Sequence, residues 1–394
     1  MAEPHESWHV DIFEFLKHAV DQGLIEIPFS ALHVLEGAHL KDHAKPMALK
    51  RATVMKRLAG NKCFTWWGWL MNHEALLLAA NEGISSQTHA TRDDGRWFPE
   101  FDIIAKQVGL DLETSIKSCL SELPLPRNRR RHLKQQLIKD GRLTKTGVAL
   151  VEQNRAEATR KVRQEFPLPQ RVFDEDIIFR VVTGKLPKKA FVEAIEEALG
   201  DLPTFLGWVL DRYDSGRILT GWLRTNTLVD VIGDERTKLD AIVDSFSKIA
   251  FDPNEVNKIF SEKAAIKLAE TRARCLWKIF DDVKHRGISR DAWNERVIRA
   301  PFGKIPSLDA MLDIAFEYGL KNLSFGPHRR KLRVSDYGDI LHMIYLPHVD
   351  LFRCDGYMAQ LAKGPAKKNG VIVVNKLREL PTAIDKFSHS IQAQ

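Results

Sequence analysis

Cysteine is scarce and scattered: four in 394 residues, at Cys63, Cys119, Cys275 and Cys354. No two stand at C-x-x-C spacing, which excludes a zinc ribbon or a dithiol redox pair. Thiols so dispersed fit buried positions in a reducing compartment. Long apolar runs are missing too. None approaches the roughly 20 residues a membrane helix requires. The opening Met1-Ala2-Glu3-Pro4-His5-Glu6 lacks the basic-then-apolar order of a secretory leader, so cytoplasmic residence is the expectation. No Gly-rich phosphate loop, serine elbow or Cys/His dyad stands out. No segment recurs at a fixed period.

What is present is ordinary globular composition: 44% hydrophobic and 28% charged residues, which argues against wholesale disorder. The length exceeds one ordinary core, so two or three domains are expected. The formal net charge of +7 is compatible with a polyanionic partner, and where the charge sits matters more than its total.

Residues 1–100 read as mixed α/β. Asp11 to Gln22 has near-helical spacing of Ile12, Phe13, Phe15, Leu16, Ala19 and Val20, and Gly23 ends it. Leu24-Ile25-Glu26-Ile27-Pro28 reads as a short strand. Ser30 caps a helix carrying Leu32, Val34, Leu35 and Glu36. Asn61 to Thr65 is a brief extended piece, and Trp66-Trp67-Gly68-Trp69 an aromatic packing cluster. Residues 101–286 show recurrent helical periodicity punctuated by prolines, and read as a helical domain. Residues 287–394 return to α/β. Leu308 to Tyr318 and Asp339 to Tyr345 are helices, and Val349 to Phe352 is a strand. Val371 to Val374 is a strand apolar on both faces, hence central. Leu380-Pro381 opens a terminal helix. One α/β domain interrupted by a helical insertion is the economical arrangement.

The densest chemistry lies between positions 336 and 355. Asp336, Asp339, Asp350 and Asp355 alternate with apolar stretches that would bury the intervening backbone. An acid at a strand's carboxyl end, beside an acid-bearing helix, is what a divalent-cation site needs. Asp350 opens the strand and points away from Asp355 if side chains alternate. Each acid also has a structural use, Asp339 as a helix cap and Asp355 as a turn residue.

These residues resemble the PIN-like ribonuclease family. Asp339, the Ile340 to Tyr345 stretch, Val349 to Phe352 and Asp355 are similar to its carboxyl-terminal acid, helix, strand and acid. Val371 to Val374 and Leu380-Pro381 are similar to its last strand and helix. Gly23 to Ser30, followed by Glu36, is similar to its second strand and the helix bearing its second acid. The resemblance spans about residues 8–65 and 305–390. It implies a three-layer α/β domain with a parallel sheet, interrupted by the helical insertion. It also implies a metal-dependent nuclease, an endoribonuclease hydrolysing RNA through carboxylate-bound Mg²⁺ or Mn²⁺, with RNA preferred over DNA. Glu36, Asp339 and Asp355 would be catalytic and metal-binding, with Asp350 as a further metal ligand. The family's first acid ends an opening strand that has no counterpart here; Asp11 is the only nearby candidate for it. A catalytically incomplete nucleic-acid-binding or protein-interaction module is therefore the alternative.

Basic residues complete the picture. Arg329, Arg330, Lys331 and Arg333 precede Asp339, and His342 follows it by one turn; all five are candidates for holding the nucleic-acid backbone. Arg127, Arg129, Arg130, Arg131 and Lys134 form a second cluster, and Arg155, Arg160, Lys161 and Arg163 a third. Solvated helix faces explain such runs as well. His33, His39 and His43 invite a zinc reading, but no H-E-x-x-H accompanies them. The helical insertion would also serve a protein partner.

Overall fold

The structure is a computed structural model that describes residues 7–37, 45–81, 90–98, 120–121, 124–139, 142–156, 176–202, 253–324 and 334–392. The chain divides into two units. One comprises Met1–Glu36, Arg57–Asp93 and Leu223–Gln394; the other comprises Gly37–Lys56 and Asp94–Trp222. The long helix Pro253–Val283, within the segment read from sequence as the insertion, groups with the terminal segments.

In chain order the described elements begin with α1 (Ser7–Asp21), α2 (Ala31–Gly37), α3 (Lys45–Ala59), β1 (Cys63–Phe64), α4 (Trp67–Ala80) and β2 (Thr91–Arg92). The second unit then contributes α5 (Arg127–Leu137), β3 (Ile138–Lys139), β4 (Arg142–Leu143), α6 (Lys145–Gln153), α7 (Ile177–Val182) and α8 (Lys188–Gly200). The chain continues with α9 (Pro253–Val283), α10 (Arg290–Trp293), α11 (Pro306–Ser324) and α12 (Val334–His342). After it come a 3₁₀ segment (Met343–His348), β5 (Leu351–Arg353), α13 (Gly356–Lys368), β6 (Ile372–Val374) and α14 (Leu380–Gln392). The described residues are thus mostly helical with small sheets, one of them parallel. None of the described helices is long and apolar enough to cross a membrane.

The first unit is built around α11. Its Leu308, Met311, Leu312 and Ile314 are buried against α9, α4 and the 3₁₀ segment, whose Met343, Ile344, Tyr345 and Leu346 are buried in turn. Tyr345 donates to the Thr65 carbonyl at 3.1 Å, tying that segment to the end of β1. Burial of its hydroxyl pushes the phenol well above the ordinary tyrosine range. Arg272 of α9 forms a two-pronged pair with Asp309 of α11 at 2.6 and 3.2 Å. Asp309 also accepts from the Gly303 and Ile305 amides at 2.7 and 3.2 Å, fixing the entry to α11.

The parallel pair joins β5 and β6 in the register Leu351↔Ile372 to Arg353↔Val374. α13 is the crossover that a parallel connection needs, and both α13 and α14 pack on the pair. Ile372 stays 36% exposed, so β6 is open on one side rather than covered on both as its sequence suggested. The amino-terminal end differs as well. Residues 24–28 form no ladder; a single parallel bridge links Phe29 to Cys63. Pro28 offers no amide donor, and Leu24 is 63% exposed. α1 ends as read: Gly23 takes φ +67°, its amide bonds Val20 O at 2.9 Å, and the Leu24 amide bonds Ala19 O at 2.9 Å. This double closure needs the left-handed residue that glycine supplies without strain.

Candidate active site

Glu36 is aimed by the start of its helix. Ser30 caps α2, and its amide donates to His33 Nδ1 at 3.0 Å while the His33 amide faces Ser30 Oγ at 3.4 Å. This is a reciprocal cap in which histidine takes the place usually held by Glu or Gln. A ring nitrogen that accepts from an amide carries no proton, so the geometry holds His33 neutral. Desolvation, followed by the charge of His342, also sets its pKa well below the usual histidine range, with Glu36 opposing. His33 keeps a solvent-exposed surface, so the amide facing Nδ1 is the stronger reason for neutrality.

One turn after His33, the Glu36 carboxylate reaches α12. Its Oε1 lies 3.3 Å from His342 Nε2. The His33 and His342 rings sit 4.6 Å apart. A Cβ placed on Gly338 would fall 2.8 Å from Glu36 Oε1, so the missing side chain at 338 makes room for the carboxylate. Asp339 is the next residue and is half-buried. It does not open its helix, as the sequence suggested; α12 starts at Val334 and Asp339 is in its interior.

Asp355 lies two residues past the end of β5. Its Oδ1 accepts from the Met358 amide at 2.7 Å and caps α13. The structural role foreseen for Asp355 is therefore present, and it engages one carboxylate oxygen. The residue before Asp355 is Cys354, whose amide bonds Val374 O across the parallel pair at 3.2 Å. The Cys354 thiol is pushed up to about 12, first by burial and then by the negative charge of Asp355; Arg353 opposes and Asp339 adds to the rise. Asp350 does not join them. It precedes β5, is exposed, and presents its backbone carbonyl to the Ile372 amide at 2.9 Å. Arg329, Arg330, Lys331 and Arg333 lie outside the described residues, as do His39 and His43.

The donor set here is carboxylate oxygen, which suits Mg²⁺ or Mn²⁺ better than zinc. Among the described residues, no three His, Cys, Asp or Glu side chains gather closely enough to form a ready-made metal cage. Mg²⁺ commonly binds through only one or two carboxylates, completing its shell with water and substrate phosphate. Asp339 and Asp355 each offer a carboxylate of that kind.

Sequence reading missed a second polar cluster. Glu74 Oε2 accepts from the Ser307 amide at 3.0 Å, and Ser307 Oγ donates to Glu74 Oε1 at 2.8 Å. Ser307 Oγ also lies 2.8 Å from His348 Nε2, itself 3.1 Å from Glu74 Oε1. Residue types alone suggest a nucleophilic triad. The geometry does not: serine and carboxylate meet the same ring nitrogen, whereas a proton relay uses both. The side chains of Glu74 and His348 are 0% exposed. The cluster is a buried strut joining α4, α11 and the 3₁₀ segment. No local spacing could have revealed it, because Glu74 and Ser307 are 233 positions apart.

Compared with protein-family models, with curated proteins and with solved structures, the chain matches none.

Proposed function

We propose that the chain is a PIN-like, Mg²⁺- or Mn²⁺-dependent nuclease, an endoribonuclease acting on RNA in preference to DNA. The geometric observation that carries this reading is the Glu36 carboxylate lying 3.3 Å from His342 on α12, the helix that bears Asp339. Glu36, against Gly338, brings a third carboxylate to the neighbouring turn. In this reading the parallel β5–β6 pair and its packed helices are the carboxyl-terminal part of a three-layer α/β domain. Asp339 and the second oxygen of Asp355 would hold the ion, with Glu36 and His342 beside it. A bound ion supplies an activated water and stabilises charge on phosphate oxygens. The chain's own contribution is to hold the carboxylates on a helix and a strand end, and to keep Glu36 in place through the Ser30–His33 cap.

The test is cleavage of labelled single-stranded RNA with Mg²⁺, Mn²⁺ or EDTA, for wild type, Asp339→Asn and Asp355→Asn. Cleavage that needs metal and is lost in both variants supports the proposal. Cleavage that persists in EDTA, or is unchanged in both variants, overturns it. The second reading is a catalytically incomplete nucleic-acid-binding or protein-interaction module. It is favoured by the lack of a three-ligand cluster among the described residues. Salt-dependent RNA binding with no turnover in any metal would select it.

A further inference from the structure

The second unit holds a surface that internal packing does not explain. α5, with the sequence RNRRRHLKQQL, contains no acidic residue and buries none of its side chains completely. Leu133 and Leu137, with Arg130 and Lys134, are half-buried and share its inner side. Arg127, Asn128, Arg129, Arg131, His132 and Gln135 are exposed. That outer side carries neither a carboxylate nor an aliphatic or aromatic hydrocarbon side chain.

Charge balance within the unit sharpens the point. Arg96 pairs with Glu196 at 2.6 Å, Lys185 with Glu152 at 2.8 Å, and Lys189 with Glu193 at 2.8 Å. Among the described residues, Arg127, Arg129 and Arg131 form no ion pair. Neither do Lys139 and Arg142 of the β3–β4 hairpin, nor Lys145 at the start of α6. The described acids of this unit pair with cations elsewhere, so the described residues of this surface carry a positive charge.

The hairpin and α6 brace α5. β3 and β4 pair antiparallel directly after the helix. Thr144 caps α6 by accepting from the Gly147 amide at 3.1 Å. A Cβ on Gly147 would lie 2.5 Å from Leu137 O and 3.1 Å from Leu143 Cδ2, so glycine is what allows α6 to close on the end of α5. Helix, hairpin and helix form one module that presents the outer side of α5.

We infer that α5 docks in the major groove of duplex DNA, with the hairpin cations on the flanking phosphates. Asn128, Arg131, His132 and Gln135 follow the i, i+3, i+4, i+7 row of one helix face. Arg reads guanine, and Asn or Gln reads adenine, through paired hydrogen bonds in that groove. A helix about 10–12 Å across matches the roughly 12 Å groove of B-form DNA. The deep, narrow major groove of A-form RNA excludes it. Arg127 and Arg129 border the row, where they would meet backbone phosphates. The inference is independent of the hydrolytic reading: the duplex is a docking partner and not the proposed substrate.

The experiment uses the full chain in EDTA, so that it neither requires nor reports cleavage. Fluorescence anisotropy follows binding to a random DNA duplex of about three helical turns, to an RNA duplex of equal length, and to single-stranded RNA, across a salt series. The DNA duplex should bind with a Kd of about 10⁻⁴–10⁻⁶ M and a steep salt slope. RNA duplex should bind roughly tenfold more weakly. Arg127→Glu/Arg131→Glu should lose at least about tenfold on DNA and show a shallower slope. Lys185→Glu/Lys189→Glu, which changes net charge equally but alters paired cations, should bind as wild type. Asn128→Ala/Gln135→Ala should keep the salt slope. Circular dichroism and thermal melting confirm that each variant is folded. The inference is overturned by wild-type DNA binding in the folded Arg127→Glu/Arg131→Glu variant. It is equally overturned by duplex RNA binding as tightly as duplex DNA, by single-stranded RNA losing as much affinity as DNA in that variant, or by no DNA binding in wild type.

Discussion

Glu36 Oε1 occupies the space that a side chain at Gly338 would take: a Cβ there would lie 2.8 Å from it. Alanine inside a helix is ordinarily more stable than glycine by about 0.5–1 kcal/mol. The obstacle is the far end of a flexible side chain, which can swing aside. Gly338→Ala should therefore melt at or above the wild-type temperature while RNA cleavage falls. A clear loss of stability by thermal melting would show instead that Glu36 is rigidly held against α12.

Cys354 offers a readout of the acids that does not depend on turnover. Burial keeps its thiol mostly protonated near neutral pH, with Asp355 and Asp339 adding to the effect. Asp355→Asn removes a negative charge, so the thiol pKa falls and more thiolate forms at mildly alkaline pH. Iodoacetamide labelling of Cys354, followed by peptide-mapping mass spectrometry, should be faster in Asp355→Asn and, to a smaller degree, in Asp339→Asn. Asparagine also caps helices well, so the α13 cap made through Oδ1 should survive. Equal labelling rates in all three proteins would separate the acids from the thiol.

His33 predicts a pH dependence. Its folded pKa is depressed, so protonation favours the unfolded chain. The stability it supports is present above the ordinary histidine value of about 6.5 and is lost as pH falls below it. Glutamine at the same position keeps a side-chain acceptor for the Ser30 amide. Urea unfolding of His33→Gln should show a shallower decline below pH 6.5 than wild type. An identical decline would assign the acid sensitivity to other groups.

The strut at Glu74, Ser307 and His348 should be costly to break. Ser307→Ala removes the hydroxyl from both Glu74 and His348 but keeps the 3.0 Å amide bond to Glu74. A loss of about 1–3 kcal/mol is expected from leaving buried polar groups short of a partner. Glu74→Ala strips partners from all three groups and should cost more, about 3–5 kcal/mol. Urea unfolding checks the order. A neutral Ser307→Ala would mean that the hydroxyl carries little of the strut.

Local signals were legible in the sequence where a short stretch determined the outcome. The α1 apolar face with its Gly23 stop, the Ser30 cap, and the two strands flanking α13 all follow from neighbouring residues. The start of α12 is not legible locally, for a physical reason. Aspartate is a common helix cap, so the sequence places the start of the helix at Asp339. α12 runs through Gly338, where the absent side chain admits a carboxylate from three hundred positions away. Leu24 to Pro28 had strand composition, but composition cannot supply a pairing partner, and only Phe29 finds one. The meeting of Glu74, Ser307 and His348 depends on tertiary packing throughout.

The central claim is that Asp339 and Asp355 hold a divalent cation beside Glu36, and Mn²⁺ titration by calorimetry tests it most directly. The account predicts saturable binding in wild type. It predicts affinity weakened by roughly tenfold or more in Asp339→Asn and in Asp355→Asn, and reduced less in Glu36→Gln. Wild-type Mn²⁺ affinity in the folded Asp339→Asn/Asp355→Asn double variant would contradict it.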